Sequence, residues 1–416
     1  MLNLFKYFIL ISLLFFTACG GGLSSSTEPP LDKKVQSDVF STQLYHYKEF
    51  NDYTEVKALG VADMNNDGLK DMVVVTEVAF KSRSVEVFYQ NAENTFTPST
   101  AYPIKEGAFN TNTNLILEDI DGDGFKDIVL PYKEREEQSG VIVYSLKEEG
   151  LKEIVNLPLG EWVSSLVADD FDNDGKTDFL ALVNTTGKSL GSIGLYFLKQ
   201  NSEGKFVLKA LSENSFSFET QLRLANLNND TKRDFLLIDN LSDKAIIAYV
   251  NEGKSFREEA YSIENEVPQS EINLETIVVK DFNHDGSDDL VFSVINESNV
   301  DIQKKLYVAY SNKENGSLEK AVEVEGALLS EDYEVLKLAD LNGDGSEDLL
   351  VFKEKNMQVK VNDASTYFTH NRALSTKERF LFDSERIVTA DLDNDGLDDV
   401  VIAPDGNELL VGISKL

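Results

Sequence analysis

Asp119-Ile120-Asp121-Gly122-Asp123-Gly124-Phe125-Lys126-Asp127 is written, with variations, seven times along the chain. The other copies begin at Asp63, Asp170, Asn226, Asp281, Asp340 and Asp391. Carboxylates or amides hold positions 1, 3 and 5, glycine position 6 and aspartate position 9. This is the donor set a hard, oxygen-seeking cation needs, and the backbone carbonyl of position 7 can help complete the roughly six to eight oxygens of a calcium shell. One copy would be a weak signal, whereas six nearly intact copies in register are a strong one. The candidate ligands are Asp63, Asn65, Asp67, Leu69 and Asp71; Asp119, Asp121, Asp123, Phe125 and Asp127; Asp170, Asp172, Asp174, Lys176 and Asp178; Asp281, Asn283, Asp285, Ser287 and Asp289; Asp340, Asn342, Asp344, Ser346 and Asp348; and Asp391, Asp393, Asp395, Leu397 and Asp399. The expectation is about six Ca²⁺ sites.

The copies recur at intervals of 56, 51, 56, 55, 59 and 51 residues. Periods of this length mean a solenoid, a propeller or an array. The flanks decide between them. Four residues before position 1 stand Leu59, Leu115, Leu166, Leu222, Ile277, Leu336 and Ile387, and position 2 is apolar in all seven copies. Short apolar runs such as Met72–Val75 and Phe235–Ile238 follow position 9 and read as strands buried on both faces. Further strands follow each run, as at Ser84–Tyr89 and Val141–Tyr144, and no stretch shows helical periodicity. The fold class expected is all-β: a seven-bladed β-propeller of four-stranded antiparallel blades, the innermost strand most apolar and the outermost most polar. The last unit ends after its third strand at Leu409–Ile413, and Ser41–Tyr47 looks like an outer strand. The N-terminal segment is therefore expected to complete the last blade and clasp the ring shut.

The fourth copy departs from the rest. Asn226 and Asn228 replace carboxylates, Thr231 replaces the glycine, and Lys232 and Arg233 bring positive charge into the loop. A β-branched residue is costly where φ must be positive. The blade is expected to persist, because Leu222, Leu227 and Phe235 remain. Its ion site, Asn226–Asp234, is expected to be weak or empty.

The chain of 416 residues carries a net charge of −34, from 39 basic and 73 acidic side chains. Such a field repels nucleic acid and anionic lipid surfaces, so neither is an expected partner of the folded domain. The single cysteine, Cys19, excludes intramolecular disulfides. It follows a short positive start and the apolar run Tyr7–Phe16, and Phe16-Thr17-Ala18-Cys19-Gly20 resembles a bacterial lipoprotein signal, with Phe16 where leucine is usual. The domains expected are residues 1–18 as signal peptide, 19–38 as the lipidated cysteine and a Gly/Ser/Pro-rich flexible tether, and 39–416 as the propeller. The resemblance implies acylation of Cys19, stable anchoring by two or more acyl chains, and an outer-membrane lipoprotein on the periplasmic or cell-surface side.

Over residues 39–416 the unit of apolar strand, DxDxDGxxD loop and apolar strand resembles the FG-GAP/VCBS repeats of integrin α-subunit propellers and of secreted bacterial proteins. The resemblance implies a seven-bladed ring with calcium in the hairpin between strands one and two of each blade. It also implies that ligands meet the face opposite those loops. EF-hand and dockerin readings fail because position 12 holds Val74, Leu130, Ala181, Phe292, Val351 or Ile402 where an acidic ligand is required.

Two classes of function remain. A membrane-anchored binding module, monomeric, would present a rigid face to a protein or glycan partner outside the cytoplasm, as in adhesion. Its candidate partner-binding residues are Phe109, Trp162, Phe216, Phe218 and Tyr333, beside the charged stretch 134–138; the bland reading fills gaps between blades with the same aromatics. The alternative is a calcium-dependent polysaccharide-degrading, lyase-like enzyme, suggested by fold analogy alone. Catalytic constellations are sparse: the three histidines His46, His284 and His370 are scattered, and no nucleophile elbow, HExxH or phosphate loop occurs. No catalytic residue is assigned.

Overall fold

Each acidic nonapeptide turns the chain between two antiparallel strands, and the turn has one register throughout. The residue before position 1 pairs with position 9 in every unit: Ala62 with Asp71, Glu118 with Asp127, Asp169 with Asp178, Ala225 with Asp234, Lys280 with Asp289, Ala339 with Asp348 and Ala390 with Asp399. The computed structural model describes residues 39–46, 54–78, 82–98, 101–105, 115–133, 139–160, 162–184, 193–212, 215–217, 220–239, 246–261, 270–272, 277–298, 301–329, 335–353, 356–362, 370–375, 386–404 and 408–416. Cys19, the signal segment and the tether, together with Phe109, Phe218, Tyr333 and residues 134–138, lie outside them.

The strands form seven antiparallel sheets. Blade 1 runs outward from Thr54–Ala62 through Asp71–Val78 and Ser82–Gln90 to Phe96–Pro98 and Tyr102–Ile104, the expected outer strand being split in two. Blade 3 is Trp162–Asp169, Asp178–Asn184, Gly194–Gln200 and Phe206–Ala210, and blade 4 is Gln221–Ala225, Asp234–Ile238, Ile246–Asn251 and Phe256–Tyr261. Blades 2, 5 and 6 follow the same order, with Ser270–Ile272 as an extra strand on blade 5. Blade 7 takes Ile387–Ala390, Asp399–Ile402 and Glu408–Ser414 from the C-terminus, and its outer strand is Phe40–His46. Phe40 pairs with Ser414 and His46 with Glu408. The innermost strands touch in cyclic order, blade 7 meeting blade 1, so the sheets form a closed ring.

Packing follows from the residues read as strand formers. Seven hydrophobic clusters fill the seven gaps between neighbouring blades. The position-2 residue of each loop enters the gap toward the next blade: Met64, Ile120, Phe171, Leu227, Phe282, Leu341 and Leu392 each belong to one such cluster. Burial along a blade is not graded simply from the ring axis outward. The second strand is the most enclosed, as in Asp178–Asn184, whereas innermost strands such as Ile116–Glu118 and Val278–Lys280 are half-buried. An innermost strand leaves one edge toward the ring axis, whereas second and third strands are paired on both edges and are buried together, as in Asp234–Ile238 and Ile246–Asn251.

Candidate functional site

The acidic loops owe their shape to two backbone requirements. Position 4 is left-handed in every copy, filled by Asn66, Gly122, Asn173, Asn229, His284, Gly343 and Asn394, residue types that tolerate positive φ. Position 6 is also left-handed wherever it is glycine, as at Gly124 (φ 89°) and Gly345 (φ 85°). That turn aims the position-6 N–H back at the position-1 carboxylate. Gly68 donates to Asp63 Oδ2 at 2.9 Å, Gly124 to Asp119 at 2.8 Å, Gly175 to Asp170 at 2.8 Å and Gly396 to Asp391 at 3.1 Å. The position-7 N–H donates to the position-5 carboxylate, as Ser346 does to Asp344 at 2.7 Å. Positions 1 and 5 are thus held by backbone donors from within the loop.

Position 9 does a different job. It is buried in all seven copies. In six of them one oxygen accepts the position-2 N–H, as at Ile120 to Asp127 (2.9 Å), and Leu392 to Asp399 (2.8 Å). In every copy but the second, where Asp127 Oδ1 has no partner, an oxygen of position 9 also accepts an N–H at the end of the third strand, for example from Gln90 to Asp71 (2.9 Å) or Gln200 to Asp178 (2.7 Å). Burial pushes these carboxyls up, to about 6 at Asp71, Asp127, Asp234 and Asp289 and to about 7 at Asp178, Asp348 and Asp399, against the pull of the backbone N–H donors.

Sequence reasoning missed a set of residues at the third-strand ends. Gln90 Nε2 donates to the carbonyl of Leu392, Gln200 Nε2 to Ile120, Asn251 Nδ2 to Phe171 and Ser414 Oγ to Leu341, at 2.7–2.9 Å. Each acceptor is the position-2 carbonyl of the preceding blade. Position 9, the third-strand end and the neighbour's position 2 therefore form a relay from blade to blade. The signal available in sequence was a polar residue ending an apolar strand, which reads equally well as a turn.

The donor set fits a divalent cation in the loops richest in aspartate. Among the described residues, carboxylate oxygens of Asp119, Asp121 and Asp127, of Asp170, Asp172 and Asp178, and of Asp391, Asp393 and Asp399 lie within 4.8 Å of one another. Ligands at about 2.4 Å from one calcium can be at most about 4.8 Å apart. Asp127 Oδ1, Asp172 Oδ1, Asp178 Oδ2 and Asp393 Oδ1 are buried without a hydrogen-bond partner. Buried carboxylate oxygens lacking donors are what a cation would satisfy. Lysines also converge on these loops: Lys147 pairs with Asp123, and Lys199 with Asp172 and, at 3.2 Å, Asp174.

The fourth loop is built otherwise. Thr231 is not left-handed, no position-6 N–H returns to position 1, and Asn226 Oδ1 is buried without a partner. Lys232 pairs with Asp230 at 3.1 Å and Arg233 reaches Asp169 of blade 3 at 2.7 Å. Asp288 of blade 5 exchanges two 2.7 Å bonds with the Asn226 backbone, and Asp398 of blade 7 makes the equivalent pair with the Asp340 backbone of the intact sixth loop.

The candidate partner-binding aromatics divide. Phe216, at 5% exposure, packs in the core between blades 3 and 4, so it fills the gap and presents no surface. Trp162 opens the innermost strand of blade 3, half-buried, with Lys133 Nζ 4.2 Å above its ring. Neither joins the other in one patch.

The profile of the FG-GAP-like repeat matches residues 58–130, 281–351 and 340–402, each match spanning two successive acidic loops. No curated protein sequence matches the chain. Among solved structures, a lectin of Agrocybe aegerita described as recognising non-reducing terminal N-acetylglucosamine superposes with a TM-score of 0.53 at 19% identity, covering 78% of this chain and 81% of that one. BBS1N, solved in complex with ARL6DN, superposes with a TM-score of 0.50 at 8% identity, covering 86% of this chain and 92% of its own. These likenesses are of fold. The repeat match favours a binding module over an enzyme, and together with the seven blades it shows FG-GAP-like repeats, at residues 58–130 and 281–402, carried on a propeller scaffold.

Proposed function

We propose that the chain is a calcium-braced propeller, anchored to the bacterial outer membrane through Cys19, that presents a rigid face to a glycan or protein ligand outside the cytoplasm. The closed ring carries the binding part of this reading: every gap between blades holds its own hydrophobic cluster, so surface loops stand on a scaffold with little freedom to move. The lectin with the same fold supports a glycan as one ligand class. Calcium is supported by the clustered carboxylates and their unpartnered oxygens. The loops beginning at Asp63, Asp281 and Asp340 carry Asn at position 3 and are read as sites by their shared backbone pattern. Anchoring rests on the lipoprotein-like start of the chain alone.

In this reading the ions are structural. An ion held at about 100 times its Kd adds about 2.7 kcal/mol by linkage. Stripping calcium should therefore lower the melting temperature by many degrees, and calorimetric titration should return about six ions per chain. No shift with EGTA would refute occupied sites. Ligand class is tested by glycan-array binding and pull-down with the untethered domain, with and without calcium. Capture of neither a glycan nor a protein would refute the binding reading.

A further inference from the structure

A cleft of ≈490 Å³ opens between blades 3 and 4, within the range of small-ligand pockets. Its floor is aromatic. Phe171 and Tyr249 are buried, while Phe197 and Phe256 stand half-buried on either side. Both of these rings meet Phe171 edge-on, with centroids 6.2 and 6.3 Å away. Strand register decides what surrounds them. Lys209 lies directly across from Phe197 in blade 3, and Glu258 across from Tyr249 in blade 4. Cross-strand partners share a sheet face, so these polar heads stand on the faces that bound the cleft. The hairpin Gly253–Ser255 adds Lys254, and Asp172 of the third acidic loop also lines the cleft.

The charges around the cleft differ from those of the protein as a whole. Two ammonium groups, Lys209 and Lys254, and two carboxylates, Glu258 and Asp172, line the cleft, so their formal charges cancel in a chain of net charge −34. Asp172 is further offset by Lys199. Balanced donors and acceptors over apolar rings suit a ligand whose own groups both donate and accept and which has an apolar face. Strong anions and cations are matched less well. The strand carrying Lys209 also exposes Val207 (57%) and Leu208 (45%), two of the large hydrophobic side chains left in solvent among the described residues.

We propose that this cleft is a carbohydrate subsite taking one pyranose residue, its C–H face against Phe197 and Phe256 and its hydroxyls between Lys209, Lys254 and Glu258. The inference rests on the binding-module reading above and narrows it to one place and one ligand class. It also moves the ligand to the rim of the acidic loops, because Asp172 lines the cleft, whereas the family resemblance points to the opposite face.

The test uses the full chain in calcium, titrated with methyl glycosides of N-acetylglucosamine, galactose, mannose, glucose and glucuronic acid and read by ligand-observed NMR and calorimetry. Lys209→Glu and Lys254→Glu alter exposed side chains, so melting temperature should hold; Phe256→Ser is the third variant. At least one glycoside should bind, and each lysine variant should weaken it about tenfold, the scale of one charge-assisted hydrogen bond. Binding that survives all three substitutions overturns the cleft while leaving the binding-module reading intact. Binding of no glycoside, with a protein captured instead, overturns the sugar subsite alone.

Discussion

At the scale of single residues, the acidic loop divides its labour. Positions 1 and 5 receive backbone N–H donors from within the loop, positions 4 and 6 supply the left-handed turn, and position 9 ties the loop to the third strand. Gly345 isolates the backbone part of this. A Cβ there would meet nothing within 4 Å, so any penalty for alanine comes from its φ of 85° alone. Gly345→Ala is expected to cost about 1–2 kcal/mol, measured as a lowered melting temperature; an unchanged value would show that the loop relaxes as it does at Thr231. The converse change is Asn226→Asp with Thr231→Gly, which restores both the position-1 carboxylate and the residue type able to aim the position-6 N–H. Calorimetric titration of that variant should return one more calcium than the parent, and equal stoichiometry would mean that Lys232 and Arg233 still exclude the ion.

At the scale of the element, the hairpin and its loop respond to pH through position 9. The folded protein holds these carboxyls at about 6 to 7, above the unfolded value of about 3.9. A group raised on folding binds its proton more tightly in the native state. Its stabilising contribution is complete below the unfolded value and is lost as pH rises through about 6 to 7. Metal-stripped protein should therefore melt at a lower temperature at pH 8 than at pH 5. Calcium takes the ionised carboxylate, so the gain in melting temperature on adding calcium should be larger at pH 8 than at pH 5. A metal-free melting temperature that climbs from pH 5 to pH 8 would show that burial is not the dominant influence on these groups.

At the scale of the whole molecule, ring closure depends on a short strand far away in sequence. Phe40–His46 forms a ladder with Glu408–Ser414, and Phe40 is among the largest fully buried side chains. It packs with Leu350, Phe352 and Ile402 across blades 6 and 7. Phe40→Ala is expected to cost about 3–5 kcal/mol. Deleting residues 39–50 should do more, because it bares the edge of the third strand of blade 7 as well as the cluster. Thermal melting and size-exclusion chromatography would report lost stability and edge-to-edge association. A deletion variant that melted with the parent would show that the ring does not need its clasp.

Much of this was legible in the amino-acid sequence. The period near 55, the apolar position 2 and the runs after position 9 determined seven blades and the clasp, because strand pairing and blade stacking repeat one local pattern. The loops' donor set was legible for the same reason, since loop geometry depends on neighbours a few residues apart. What tertiary structure alone decided depends on residues distant in the chain. The Gln90, Gln200, Asn251 and Ser414 relay joins one blade to the last, over separations of 73 to 302 residues. Phe216, which the sequence left open between a partner-binding face and a gap between blades, is core because blade 4 covers it. The cleft between Phe197 and Phe256 exists only where two blades diverge at their outer edges, and no spacing within either blade encodes the gap between them.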